Sequence, residues 1–525
     1  MPPADANGGS ADADVCLVLE GTYPYVKGGV STWVHDLITS LPDLRFALVH
    51  VGPERGTYTR RLYSLPANVV SFADLYCREA LARGRNTAVL ERLARVERRR
   101  HANARRTSRV LHGLRWLHLQ DNVDSSLLDD LAAGDLSVGA FLHGRASFDL
   151  TTELCDRLAP EASFLDFFWH FRSMNLPLVR LLQAEAPAAA TYHALCTGYA
   201  GLLAAVWSHR TGRPFLLTEH GIYARERNLE LDRAAWLQRT LDDRRSEGVV
   251  GPTDSATALA LRRIWVHFFH ALARCAYAQA SSIVSLSEGS RERQIADGAS
   301  AGGTLIVPNG IDLEGFRARV GGAPSRAAER GPVRVAFVGR LVPIKDIVTF
   351  IRACFLALQT VALDVRIIGP IDEDPRYARR CRRLVARLGL THTIRFEDSM
   401  PVERIYPAVD ILVLTSFSEG QPLVILETNA AGIPVVASDV GACRDLLEGR
   451  TDEDRRIGPS GVVTRLAAPE ETAAAIARLA RDPDLRRRMG AAGQQRVATF
   501  YRKSATVETY RTLYTAGAWQ ASAGA

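Results

Sequence analysis

Two series of short apolar runs, each running into a Gly- or Pro-bearing loop and then a helical pattern, constrain this chain more than any other feature. In the first half the runs are 14–20, 45–51, 188–193, 214–218, 282–285 and 304–307. In the second they are 333–338, 364–368, 393–396, 411–415 and 435–438. Runs of four to eight apolar residues that alternate with helices read as strands buried on both faces of a parallel sheet. Repetition of that unit argues for doubly wound α/β domains. The Gly, Pro, Ser and Arg of 321–331 read as a linker between two such sheets.

The rhythm sets the domain expectations. Residues 1–14 are a disordered tail. Residues 15–325 form a first Rossmann-like domain with a helical insertion at about 74–165, and residues 326–493 form a second. Residues 494–525 read as one helix, about 494–515, that either ends the second domain or crosses back to the first. The insertion carries the basic run Arg98–Arg106, read as a solvated helical face, with a partner, polyanion or membrane patch as the alternative. The aromatic stretch Phe164–Phe171 reads as core.

Composition narrows the function class. The longest nearly uncharged run, Ala194–Ser208, is shorter than the ~20 residues of a spanning helix. The N-terminus has neither the basic region nor the apolar core of a secretory signal. Eight scattered cysteines without a Cys-x-x-Cys pair fit a reduced cytoplasmic setting rather than a disulfide framework or a zinc site. The net charge of +7 on 525 residues is too mild to demand a nucleic-acid partner. Arginine supplies nearly all of the positive charge. The three lysines are Lys27, Lys345 and Lys503, and the first two fall in loops that follow strands.

In open α/β sheets ligands bind beyond the strand carboxyl ends, so those loops hold the candidate chemistry. Lys27, Gly28 and Gly29 precede a helix whose free amides attract anions, and glycine there permits backbone shapes and close approaches that a side chain forbids. Gly339, Arg340 and Lys345 open the next helix-turn, where two cations five residues apart suit a diphosphate. Glu419 and Glu427 flank Gly420, Gln421, Pro422 and Leu423. Pro422 suits a first helical turn, and the two carboxylates suit vicinal hydroxyls. His220 follows a strand and precedes a glycine, with Arg225 and Arg227 close behind. Asp12/Asp14 and Asp372/Asp374 have an Asp-x-Asp spacing but read as ordinary tail and loop residues, so no metal site is assigned.

Val307-Pro-Asn-Gly-Ile-Asp312, Gly339-Arg-Leu-x3-Lys-Asp346 and Glu419-Gly-x-Pro-Leu-x3-Glu427, in that order, resemble the retaining nucleotide-sugar transferases of glycosyltransferase family 4. The segment Leu19–Val34 with the helical insertion narrows the resemblance to the branch that acts in Pel exopolysaccharide biosynthesis, which builds a bacterial biofilm polymer. The resemblance implies a GT-B fold, two Rossmann-like domains facing across a cleft. It implies a UDP-sugar donor, a polysaccharide acceptor, and membrane-bound synthase or transport subunits of the Pel system as partners, with the chain itself cytoplasmic and recruited to the inner membrane. No cofactor and no metal are implied.

By position, Arg340 and Lys345 would bind the donor diphosphate and Glu427 the ribose. Glu419 would hold the sugar hydroxyls, and the amides around Gly420–Leu423 would orient sugar or phosphate. Gly28 and Gly29 would close over the phosphates, and His220 would sit near C6 of the transferred sugar. The base would lie beside Ile394–Phe396. The common family form has Phe-Gly where this chain has Gln421-Pro422, which removes one amide. Other GT-B reactions (sucrose- or glycogen-type synthesis, epimerisation) and a nucleotide-sugar-binding scaffold are the alternatives.

Overall fold

The computed structural model describes residues 13–78, 108–120, 122–123, 125–231, 255–321 and 331–516. Residues 1–12 of the expected tail, Arg98–Arg106 and most of the linker lie outside them, whereas residues 13 and 14, expected in the tail, begin the first strand. By contact the chain divides into two compact units. The first comprises 1–284, 292–305 and 511–525; the second comprises 285–291 and 306–510.

The first unit is built on a seven-stranded sheet. Its strands are β1 (Ala13–Glu20), β2 (Phe46–Glu54), β3 (Val69–Arg78), β4 (Ala189–Ala194), β5 (Phe215–Glu219), β6 (Ser282–Ser285) and β7 (Thr304–Ile306), in spatial order 3-2-1-4-5-6-7. β1 pairs in parallel with β2 and β4. The sequence reading missed β3, because the strand runs into a segment dominated by arginine-rich helical patterning. Its edge position explains its mixed burial. Asn68, just before β3, donates to the carbonyls of Ile38, Leu41 and Leu44 at 3.0–3.1 Å. It thereby satisfies the end of the helix Gly29–Ser40, where carbonyls lack intrahelical partners.

Between β3 and β4 lie helices Arg109–Leu119, Ser125–Ala132, Val138–His143, Arg145–Leu158 and Phe164–Leu181. With helix Ser255–Gln279 they enclose a separate core around Leu114, Leu154, Phe171, Met174 and Phe268. The aromatic stretch divides by helical face. Phe167 and Phe171 are buried, whereas Phe164, Leu165 and Trp169 are exposed.

The second unit is a six-stranded sheet of β8 (Val333–Val338), β9 (Leu363–Ile368), β10 (Ile394–Glu397), β11 (Ile411–Leu414), β12 (Val435–Ser438) and β13 (Gly461–Thr464), in order 10-9-8-11-12-13 and parallel throughout. β13 was missed: it is four residues long, and it begins with a glycine because a Cβ there would lie 2.1 Å from the Val435 carbonyl oxygen. The single final helix is corrected to two, Pro483–Phe500 and Lys503–Ala516, broken where Arg502 forms a β-bridge with Ile311. Residues 511–516 pack within the first unit, where the Tyr514 hydroxyl meets His193 Nδ1 at 2.8 Å.

Both sheets reverse strand order at their centre, between β1 and β4 and between β8 and β11. The crevice beyond the strand ends at such a reversal is where doubly wound sheets bind ligands. All eight cysteines are free and most are buried, consistent with apolar packing. No described helix is long and apolar enough to cross a membrane.

Candidate active site

In the second unit the loops after β8 and β11 meet. Gly339 leaves β8 under close packing, since a Cβ on Gly369 would lie 1.9 Å from the Gly339 carbonyl oxygen. The chain then makes a short 3-10 turn, Pro343–Lys345. Asp346 follows at φ 44°, in the left-handed region that few non-glycine residues occupy. Its carboxylate accepts from the Thr349 amide at 3.3 Å and caps the helix Ile347–Ala357. Two bonds stitch this turn to the loop after β11: Thr415 Oγ1 donates to the Asp346 carbonyl at 2.9 Å, and the Phe417 amide to the Ile344 carbonyl at 2.8 Å.

This stitching brings Lys345 Nζ to Glu419 Oε1 at 2.5 Å, with both side chains mostly buried. Ser416 Oγ donates to the same oxygen at 2.5 Å. Among the described residues no hydrogen bond reaches Glu419 Oε2, and an ammonium has three donors, so both members keep capacity for a ligand. A Cβ on Gly441 would lie 2.0 Å from the Glu419 carbonyl oxygen, and Gly441 has φ 53°; only glycine lets that chain support the loop so closely. The Gly420 carbonyl accepts from the Ala442 amide at 2.8 Å.

Other expected residues are deployed differently. Arg340 does not share a partner with Lys345; it pairs with Glu373, from the loop after β9, at 2.7 Å on the surface. Gln421 is buried and spends its side chain on the backbone of Asn309, accepting from its amide at 2.5 Å and donating to its carbonyl at 3.3 Å. Pro422 is the N-cap rather than a residue of the first turn; the helix runs Leu423–Ala430 and has no side-chain cap. Its first amides therefore have no capping side chain to satisfy them. Glu427 lies in this helix, and the Tyr406 hydroxyl donates to its Oε2 at 2.5 Å. Burial raises the Glu427 carboxyl above the usual carboxylate range, against the lowering effect of the Tyr406 bond and of Arg319. Ser416 and Tyr406 carried no sequence signal beyond their place near a strand end or turn.

In the first unit Lys27, Gly28 and Gly29 are exposed at the start of helix Gly29–Ser40. Gly28 is extended, with φ 167°, and a Cβ there would meet nothing within 4 Å. Its backbone is one that any residue adopts, so the expectation of special backbone geometry at Gly28 is corrected. His220 packs edge-to-face on Trp33 of that helix, ring centroids 4.6 Å apart, so the loops after β1 and β5 are neighbours. Burial lowers the His220 pKa to about 4, leaving a neutral ring. Its Nε2 is enclosed and has no partner among the described residues.

The residue before it, Glu219, was not singled out in the sequence. It is buried and accepts from Tyr277 at 2.5 Å, Gln294 and Thr197 at 2.9 Å and the Tyr223 amide at 3.3 Å. Burial raises its carboxyl. Arg227 pairs with Glu230 at 2.5 Å. Asp14 binds the Arg45 amide at 2.7 Å, and Asp374 caps helix Pro375–Arg387; no group of described residues has a metal-holding arrangement.

Residues 13–302 match the family described as Domain of unknown function (DUF3492), and the chain belongs to it. Residues 332–482 match the family described as Glycosyl transferases group 1. A D-inositol 3-phosphate glycosyltransferase of Geodermatophilus obscurus is 33% identical over 244 residues, 44% of this chain and 52% of that protein. One from Thermomonospora curvata is 32% identical over 250 residues, 44% of this chain and 56% of that protein. The chain thus spans about half the length of the curated relatives it matches. The structure of Anabaena Alr3699/HepE in complex with UDP and glucose aligns over 96% of this chain and 99% of that one, with TM-score 0.54 and 14% identity. Sucrose-phosphate synthase from Thermosynechococcus elongatus aligns over the same shares, with TM-score 0.54 and 16% identity. The fold is that of the GT-B glycosyltransferases.

Proposed function

We propose that this member of the DUF3492 family is a retaining glycosyltransferase that transfers a sugar from a UDP-sugar to a growing exopolysaccharide. The reading rests first on the Lys345–Glu419 pair at the strand-order reversal of the second unit. It is supported by the group 1 glycosyl transferase match over 332–482 and by the likeness to a fold whose Anabaena representative was solved with UDP and glucose.

In this reading Lys345 binds the donor diphosphate and, with the free amides of helix Leu423–Ala430, carries its charge as it leaves. Arg340 joins it by exchanging Glu373 for phosphate, an exchange open to a surface pair that contributes little to stability. Glu419 Oε2 accepts from a hydroxyl of the transferred sugar. Glu427, held by Tyr406, accepts from the ribose. Gly339, Gly420 and Leu423 offer backbone to the donor, and Gln421 acts by fixing the loop. Lys27, Gly28 and Gly29 close on the phosphates and His220 on the sugar; these roles follow the family resemblance.

The described residues present no carboxylate assigned as a nucleophile, so the proposed route is front-face. The bond from the anomeric carbon to the β-phosphate oxygen breaks. The acceptor oxygen bonds the same face of that carbon, and the hydroxyl proton passes to the departing phosphate oxygen. No step uses a metal.

The finer assignment is to PelF-like chemistry in Pel polysaccharide synthesis. It has the motif Leu19–Val34 behind it, with a cytoplasmic location and recruitment by membrane-bound synthase subunits. The test is incubation of the protein with UDP-glucose, UDP-N-acetylglucosamine and UDP-N-acetylgalactosamine in the presence of EDTA and oligosaccharide acceptors. Acceptor-dependent UDP release with an α-linked product supports the reading. A β-linked product, or turnover that returns only with magnesium or manganese, refutes the retaining or the metal-free part respectively.

A further inference from the structure

Helix Pro375–Arg387 of the second unit carries a charge pattern that folding alone does not explain. Tyr377, Ala378, Cys381, Leu384 and Val385 are buried in the core of the unit, while Arg376, Arg379, Arg380, Arg382, Arg383 and Arg387 are exposed. Arg376, Arg380, Arg383 and Arg387 stand at i, i+4, i+7 and i+11, and so form one stripe along the outer face. At 1.5 Å per residue the stripe is about 17 Å long. Arg379 flanks it, and Arg382 lies over the Phe396 ring, 5.6 Å from its centroid.

Among the described residues none of these six arginines forms a salt bridge. Neighbouring arginines of the same unit do: Arg334 with Asp410, Arg366 with Glu397, Arg395 with Asp364 and Arg444 with Asp439. Of the acidic residues just ahead of the helix, Glu373 pairs with Arg340 and Asp374 caps the helix, while exposed Asp372 makes no salt bridge with the stripe. Like charges at i,i+4 destabilise a helix; the stripe holds two such pairs, Arg376/Arg380 and Arg383/Arg387, and flanking Arg379 adds a third with Arg383. A face that opposes helix formation and neutralises nothing within the unit is matched to an external anion.

We propose that this face docks the protein on the surface of an anionic phospholipid bilayer. The guanidinium groups lie in a row on a convex helix, which suits a planar array of headgroup phosphates. The apolar face is committed to the core, so the contact is peripheral and electrostatic, without insertion. The helix exposes no aromatic side chain on which nucleotide bases could stack, which disfavours a single-stranded nucleic acid. The proposal does not rest on the glycosyltransferase reading and fails or stands apart from it.

The test is co-sedimentation of the full-length protein with vesicles of phosphatidylglycerol and phosphatidylethanolamine, and with vesicles of phosphatidylcholine alone. The wild type is compared with R376Q/R380Q/R383Q/R387Q and with a charge-matched variant, R145Q/R263Q/R455Q/R465Q, altered at exposed arginines elsewhere. The wild type and the charge-matched variant bind the anionic vesicles, with partition falling steeply as salt rises. The stripe variant partitions at least tenfold less while melting at or above the wild-type temperature. Equal binding by the stripe variant, equal binding of the wild type to phosphatidylcholine, a lowered melting temperature of the stripe variant, or preference for an RNA oligonucleotide over anionic vesicles would each overturn the proposal.

Discussion

The two units share a topology and fill its central crevice in opposite ways. Beyond β1 and β4 the first unit supplies its own anion. Glu20, the last residue of β1, accepts from the Ala200 amide at the start of helix Tyr199–Thr211 at 3.1 Å and from the Tyr223 hydroxyl at 2.6 Å. The helix N-terminus there is satisfied from within. Beyond β8 and β11 the second unit leaves helix Leu423–Ala430 without a capping side chain and sets Lys345 beside it, tethered to Glu419. An internal carboxylate thus occupies the helix mouth after β4, while the helix after β1, Gly29–Ser40, has no side-chain cap. A cation and uncapped amides make the second crevice ready for a ligand's phosphate. A shared reversal of strand order therefore does not imply identical use; the residue at the helix mouth decides.

The largest expected effect separates the two crevices by activity. Lys345→Ala removes the cation paired with Glu419 at the second reversal and should lower kcat/KM of the folded protein by about 10²–10³, or ~3–4 kcal/mol of transition-state stabilisation, with a lowered melting temperature because Glu419 loses its buried partner. Wild-type turnover would end the diphosphate assignment. The converse change, Glu20→Ala, leaves the Ala200 amide and the Tyr223 hydroxyl without their acceptor and should cost about 2–4 kcal/mol of stability. It should leave UDP affinity intact in the fraction that folds, as read by chemical denaturation with parallel calorimetry. A stable variant that no longer bound UDP would reverse the contrast drawn between the units.

Glu427→Ala should weaken UDP binding about tenfold or more, as expected for lost charged hydrogen bonds. Tyr406→Phe should have a smaller effect in the same direction. Unchanged affinity in Glu427→Ala would remove the ribose role.

The smallest effect concerns pH. His118, His170 and His220 have pKa values lowered to about 4 by burial, and His193 to about 3. All four lie in the first unit; the second contains one histidine, His392. Below pH ~6.5 the unfolded chain binds protons that these folded rings refuse, so their contribution is complete above that pH and is lost as pH falls toward 4. Peptide-resolved hydrogen exchange should show the first unit loosening before the second between pH 6.5 and 4.5. Simultaneous loosening would count against burial as the cause.

The second unit was the more legible in sequence for a physical reason. Its strands β8 and β12 are apolar apart from Arg334 and Ser438, with turn residues after their ends, and the predicted spans 333–338 and 435–438 coincide with the observed ones. β13 escaped because its start is dictated by a backbone contact of Gly461 with Val435, which leaves no apolar pattern. β3 escaped because its neighbours suggested a helix. At the candidate site, position relative to strand ends nominated Lys345, Glu419, Glu427 and His220. It could not foresee that Gln421 turns inward to Asn309 or that Arg340 takes Glu373, since both depend on loops distant in sequence. Glu20 and Glu219 each end a strand and read as apolar-run terminators, so their roles became visible only with their partners in place.

The central claim is that the second crevice binds a uridine diphosphate through Lys345. Calorimetric titration of UDP, GDP and ADP into wild-type protein and Lys345→Ala tests it directly. The account predicts UDP-selective binding to the wild type and at least tenfold weaker binding to the variant. Equal UDP affinity in the two proteins, or no binding of any nucleotide by the wild type, would contradict it.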